Sequence, residues 1–173
     1  MLNLDDKGYP CDPYAEVVSG LYMADAILWP EDVAYRGFDA QYDACGWDRT
    51  ENAPRRFAYT FLPMDDVPWV SDAPRVHEVG EEIATRVRDG ERVFVNCAAG
   101  LNRSGLLVGR ALIALGQAPL EAISLVRQAR GPHALSNVVF AGWLMNDERW
   151  SVPRASILAT SLMPMSISAK DSE

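Results

Sequence analysis

One stretch of this chain pairs a nucleophile with a fixed cation at a spacing that suits anion chemistry. Cys97 is followed, after five intervening residues, by Arg103, with Gly100 inside the interval and Ser104-Gly105 just beyond it. The run Val93-Phe94-Val95-Asn96 before the cysteine is β-branched and aromatic, and a long apolar run follows Gly105. That order reads as strand, tight loop, helix. Such a loop turns backbone N–H groups inward at the positive end of a helix, so it is built to hold an anion. A cysteine attacks as its thiolate, a form favoured by cations, helix N-termini and inward amides. A thiolate, an amide cradle formed by Ala98, Ala99, Gly100, Leu101, Asn102 and Arg103, and a guanidinium together point to attack on a phosphate ester. The bland reading of Cys97 is a buried structural thiol.

The other residues divide the same labour. Arg103 can grip two phosphate oxygens in a planar fork and stabilise charge in the transition state. An arginine at a helix start faces an adverse dipole unless it meets an anion. Gly100 permits a backbone conformation closed to other residues. Ser104 has two readings, a hydrogen bond to the Cys97 sulfur that helps it leave, or a helix cap. Ester cleavage also needs an acid for the departing oxygen. The segment Leu62-Pro63-Met64-Asp65-Asp66-Val67-Pro68-Trp69 offers two aspartates on a loop after an apolar run; its plain reading is a solvated turn.

Elements must position these groups. Val17–Met23 reads as a first strand with Gly20 as a bulge. Phe38–Cys45 is a weaker strand, because Asp39 and Asp43 suit strands poorly. Phe57–Leu62 and Arg92–Cys97 are stronger. Helices are expected over Pro74–Asp89, Ser104–Leu115, Pro119–Arg130 and Asn137–Trp150, from apolar spacing and from proline and glycine punctuation. Ser104–Leu115 is apolar nearly all round and should be a buried central helix. The expected fold is α/β, a central mostly parallel sheet flanked by helices. Residues 1–150 are expected to form one domain that carries this chemistry, and 151–173 a serine-containing, partly disordered tail or a docking segment.

Composition sets outer bounds. The chain of 173 residues suits one domain. Its net charge of −8 argues against nonspecific nucleic-acid binding and makes any attraction for a phosphorylated substrate local to the pocket. No apolar run has the length of a membrane span, and the default location is cytoplasmic. Cys11, Cys45 and Cys97 do not form a secreted disulfide framework. Neither these cysteines nor His77 and His133 are spaced as a metal site, so no metal or other cofactor is expected.

Asn96-Cys97-Ala98-Ala99-Gly100-Leu101-Asn102-Arg103-Ser104-Gly105 resembles the His-Cys-x-x-Gly-x-x-Arg-Ser/Thr-Gly signature of the cysteine-dependent protein tyrosine phosphatases. It is most similar to the compact dual-specificity branch, and the resemblance spans roughly Val17–Trp150. It implies an acid loop at Leu62–Asp66, with an aspartate three residues after a proline and 31 residues before the cysteine. That makes Asp66 the first choice of acid and Asp65 the second. It implies Arg130 as a contact for a second anionic group on the substrate, against a solvated helix end. In a tensin-like lipid phosphatase of this group, a cysteine placed like Cys45 pairs oxidatively with the nucleophile; the plain reading here is a buried free thiol. One departure is Asn96 where the family has histidine, which bears on the rate; asparagine still donates a hydrogen bond.

The resemblance implies a metal-independent hydrolase acting on phosphotyrosine in proteins, with phosphoserine and phosphothreonine if the pocket is shallow. The loop holds no lysine, whereas phosphoinositide phosphatases of the group often carry lysines there. The alternatives are a phosphatase for inositol or other small phosphate esters, and a phosphate-binding pseudophosphatase. A rhodanese-like sulfurtransferase commonly has a shorter loop. Low-molecular-weight phosphatases and arsenate reductases place the motif near the N-terminus.

Overall fold

In the computed structural model the described residues are 3–146. The expected tail 151–173 and the end of the last expected helix lie outside them. The chain runs β1 (Tyr14–Val18), β2 (Leu21–Ala24), α1 (Pro30–Tyr35), β3 (Ala40–Asp43), a 3-10 turn (Thr50–Asn52), β4 (Ala58–Phe61), α2 (Ala73–Arg88), β5 (Val93–Asn96), α3 (Arg103–Ala114), α4 (Pro119–Arg130) and α5 (Val138–Met145). The five strands form one sheet in the order β1-β2-β5-β3-β4. Only β1 is antiparallel to its neighbour, so the expected mostly parallel α/β sheet is present.

Alternation along the strands splits the core in two. Leu21 and Met23 of β2, Ala40 and Tyr42 of β3, and Val93 and Val95 of β5 face the larger cluster, which α2–α5 complete through residues such as Val79, Ile83, Leu106, Leu112 and Ile123. The other face carries Phe94, Phe38 and Ala24, covered by Val33 of α1. All residues of α3 from Ser104 to Ala114 are buried, as its all-round apolar sequence requires.

The first strand expected over Val17–Met23 is a correction. The chain makes a hairpin there, β1 and β2, turning at Ser19-Gly20. Gly20 takes φ +83°, a turn conformation that L side chains avoid, and a Cβ on it would lie 2.9 Å from Glu91 O. Helix α1 was not expected either. It spans only six residues, too few for an apolar period to declare itself.

One feature of register positions the site. Ala24 of β2 and Asp43 of β3 both pair with Asn96 of β5, and Phe61 of β4 pairs with Asp43. Four parallel strands therefore end at one level. The connections leaving β2, β3, β4 and β5 emerge together at that edge.

Candidate active site

Cys97 follows β5 directly, with its amide donating to Ala24 O at 3.4 Å. The residue is 1% exposed, so its sulfur lies below the surface at the strand edge. The Ser104 hydroxyl stands 3.2 Å from Cys97 Sγ. The N-cap of α3 is Asn102, so Ser104 is spent on the sulfur rather than on a cap.

Gly100 lets the loop close. It takes φ +64°, and a Cβ there would meet Ala24 C, Ala24 O and Asp25 N, all at 2.6 Å. The loop thus presses against the backbone just after β2, and only glycine fits. The Gly100 amide points at Cys97 O (3.3 Å), and Leu135 N donates to Leu101 O (3.3 Å). Of the six residues expected to cradle an anion, Gly100 therefore directs its N–H within the loop. Ala98 and Ala99 are exposed at the tip, and Asn102 and Arg103 open α3, where the first amides lack helical acceptors.

Arg103 reaches across the edge. Its Nη1 donates to Ala44 O (3.3 Å) and Met64 O (3.2 Å), tying the loop after β3 to the loop after β4. Its Nε is buried, and among the described residues nothing accepts from it. Leaving a guanidinium N–H unsatisfied costs free energy, and an anion held at the loop would satisfy this donor.

Asp66 is the aspartate that the fold brings to the loop. Asn102 Nδ2 donates to its Oδ2 at 2.9 Å, and Asn137 Nδ2 donates to its Oδ1 at 2.9 Å. Asn137 also donates to Val67 O and caps α5 through its Oδ1, while its amide donates to Asn102 Oδ1. Two carboxamides thus lock the acid loop, the anion loop and the start of α5 together. Asp66 and its neighbour Asp65 are both exposed; the two carboxamide bonds are made to Asp66.

Behind the loop lies a polar network that the sequence did not announce as one. Asn96 Nδ2 donates to Asp43 Oδ1 at 2.8 Å and to Cys45 Sγ at 3.5 Å, and its Oδ1 accepts from Gln41. Asp43 is wholly buried and ion-paired to Arg49, through Nε at 2.8 Å and Nη2 at 2.5 Å. Tyr59 and the Cys45 amide complete its acceptor sites. Arg49 Nη1 donates onward to Ala26 O and Leu28 O, so it also holds the chain after β2. The poor strand residue Asp43 was the available signal: a carboxylate inside a strand breaks a local rule, and such breaks mark sites. Nothing in the sequence marked Arg49.

Burial, then the bond and charge of Asp43, push the Cys45 thiol up to about 12. Cys45 and Cys97 are both free thiols. For Arg49, burial lowers the pKa, but the Asp43 bond and charge more than offset it and leave it raised.

Of the two readings of Arg130, burial rules out one: the residue is 1% exposed, so it is no solvated helix end. Its Nη2 is a buried donor with no acceptor among the described residues. Its Nε donates to Gly100 O (3.2 Å) and its Nη1 to Asp12 O (2.7 Å), which makes it a brace beneath the anion loop. Burial lowers its pKa, opposed by Asp25, Cys97 and Asp12. Among the described residues no group of three or more His, Cys, Asp or Glu could hold a metal ion, and no helix is long and apolar enough to cross a membrane.

Other proteins share this architecture. The crystal structure of human DUSP28 superposes with a TM-score of 0.66 at 22% identity, covering 78% of this chain and 92% of that one. A mouse putative dual specificity phosphatase, crystallised with zinc tungstate, gives 0.65 at 23%, covering 88% and 93%. Tk-PTP in its active form gives 0.62 at 22%, covering 79% and 98%. At these identities the likeness is one of fold. No curated protein matches the sequence. The family model described as "Dual specificity phosphatase, catalytic domain" matches residues 26–150, a span that runs from the loop after β2 through the anion loop and the α5 cap. The chain belongs to the dual specificity phosphatase family.

Proposed function

We propose that this protein hydrolyses phosphotyrosine in proteins, and phosphoserine or phosphothreonine where they reach the pocket, through a phosphocysteine intermediate. The observation that carries this reading is the pairing of a buried Cys97 sulfur, 3.2 Å from Ser104 Oγ, with an Arg103 Nε that has no acceptor among the described residues, across the same loop. A nucleophile that is 1% exposed suits the longer reach of an aryl phosphate.

The Cys97 thiolate attacks phosphorus in line, forming an S–P bond as the ester P–O bond breaks. Arg103 and the loop amides hold the three equatorial oxygens. Asp66, on its carboxamide mount, gives its proton to the departing oxygen. Water then attacks the phosphocysteine, losing a proton to Asp66, and inorganic phosphate leaves. The Ser104 hydroxyl donates to the sulfur as it regains its electron pair. None of these steps calls on a metal ion.

The test is hydrolysis of para-nitrophenyl phosphate across pH with EDTA present, comparing the full chain with Cys97→Ser and Asp66→Asn. The expected result is metal-independent turnover, abolished in Cys97→Ser and reduced by about 100-fold or more in Asp66→Asn. Wild-type turnover no higher than that of Cys97→Ser, in folded and reduced protein, would leave a phosphate-binding pseudophosphatase instead.

A further inference from the structure

Three tryptophans stand out in solvent on the connections that leave the catalytic edge of the sheet. Trp29 follows β2, Trp47 follows β3 and Trp69 follows β4; they are 47%, 51% and 58% exposed. An indole left in water forgoes a large burial term. One such residue is ordinary; here three stand on connections that start from one aligned strand level.

The same connections are acidic. Glu31 and Asp32 accompany Trp29, Asp48 and Glu51 accompany Trp47, and Asp65 and Asp72 flank the segment holding Trp69; all six are exposed. None is in an ion pair among the described residues. The cation among them, Arg49, is buried against Asp43 and already lies over the Trp29 ring, 5.6 Å from its centroid. Among the described residues no cation lies over Trp47 or Trp69, and Trp29 keeps its other face. Arg36, Arg55 and Arg56 lie at the far ends of their connections, where the chain re-enters the sheet. Arg75, in the first turn of α2, is paired with Glu78.

Aromatic faces and carboxylates select the same partner. A guanidinium or ammonium stacks over an indole and pairs with a carboxylate. An acidic peptide or an anionic bilayer meets repulsion from all three loops. We infer that the Trp29, Trp47 and Trp69 rim docks a cationic segment of the substrate, so that the preferred substrate is a phosphotyrosine flanked by Arg or Lys. This rests on the hydrolytic reading above and narrows its substrate class. The charges divide cleanly: Arg103 meets the phosphate and the rim meets the flanking cations. The net charge of −8 adds long-range attraction for such a segment.

The test compares kcat/KM of the full chain on one phosphotyrosine peptide with Arg and Lys flanks, on the same peptide with Asp and Glu flanks, and on vesicles of phosphatidylcholine carrying a phosphatidylinositol phosphate. The expected preference for the basic peptide is about tenfold or more at low salt, shrinking as salt rises. Trp47→Ala with Trp69→Ala, and separately Asp48→Asn with Glu51→Gln, should each cut that preference severalfold. Both should leave para-nitrophenyl phosphate hydrolysis within about twofold, because that ester does not reach the rim. Equal or better turnover of the acidic peptide, faster release from the vesicles, or a preference unmoved by both double variants overturns the inference. Peptide binding to Cys97→Ser protein, read by fluorescence anisotropy, tests the rim independently of chemistry. A basic preference there supports the rim even when hydrolysis fails, and no preference rejects it.

Discussion

Replacing Arg49 by methionine tests the network behind the anion loop. Arg49 and Asp43 are 2% and 0% exposed, so neither charge is screened by water. Methionine fills much of the arginine stem but removes both bonds to Asp43 Oδ2, along with the donors to Ala26 O and Leu28 O. Asp43 keeps Asn96, Tyr59 and the Cys45 amide but loses its cation. Removing one partner of a buried pair costs about 3–5 kcal/mol. For a domain of this size that corresponds to a fall in Tm of about 6–20 °C. Removing both charges, in Asp43→Asn with Arg49→Met, should recover most of the loss, because no uncompensated charge then remains. Activity should fall in Arg49→Met beyond what unfolding explains, since the chain after β2 supports Gly100. The assays are calorimetric or denaturant unfolding of the two variants and wild type, with para-nitrophenyl phosphate kinetics well below each Tm. A loss under about 1 kcal/mol for Arg49→Met, or a double variant no more stable than the single, would refute the reasoning.

Gly100→Ala forces an L residue into φ +64° and drives a methyl to 2.6 Å from the Ala24 and Asp25 backbone, so the loop must move. The expected outcome is a stability loss of about 2 kcal/mol or more and at least a 100-fold fall in kcat/KM; wild-type turnover at unchanged Tm would contradict it. The Cys45 thiol, pushed up to about 12 by burial and Asp43, stays protonated across the neutral range. After peroxide converts Cys97 to its sulfenic acid, only a Cys45 thiolate can displace water and close a disulfide. The rate should therefore climb about tenfold per pH unit between pH 7 and pH 9. Mass spectrometry of the Cys45–Cys97 linkage against a Cys45→Ser control follows it, and a fast, pH-independent disulfide at pH 7 would show that the thiol is not held neutral.

The nucleophile, the cation and their loop were legible because they are local. Cys97, Gly100, Arg103 and Ser104 lie within eight residues, and a strand-loop-helix order can be read from periodicity at that range. The parallel sheet followed from the same kind of evidence, as did the buried helix α3, whose apolar surface is visible in its composition. The errors sit where a short stretch leaves too few residues to show a period, at the β1–β2 hairpin and at α1.

What only the tertiary structure decided is the set of long-range polar contacts. Asp65 and Asp66 are adjacent and chemically alike; it is Asn102 and Asn137, 36 and 71 residues further on, that hold Asp66 at the loop. Arg130 had two readings in the sequence, a contact for a second anionic group and a solvated helix end; α4 carries it beneath Gly100, where its charge braces a carbonyl. Asp43 looked like a flaw in a strand until Asn96 and Arg49 gave it partners. Hydrophobic spacing says which face a residue takes, but a hydrogen bond between residues dozens apart depends on strand register and loop path. No local pattern encodes those; the aligned ends of β2, β3, β4 and β5 do.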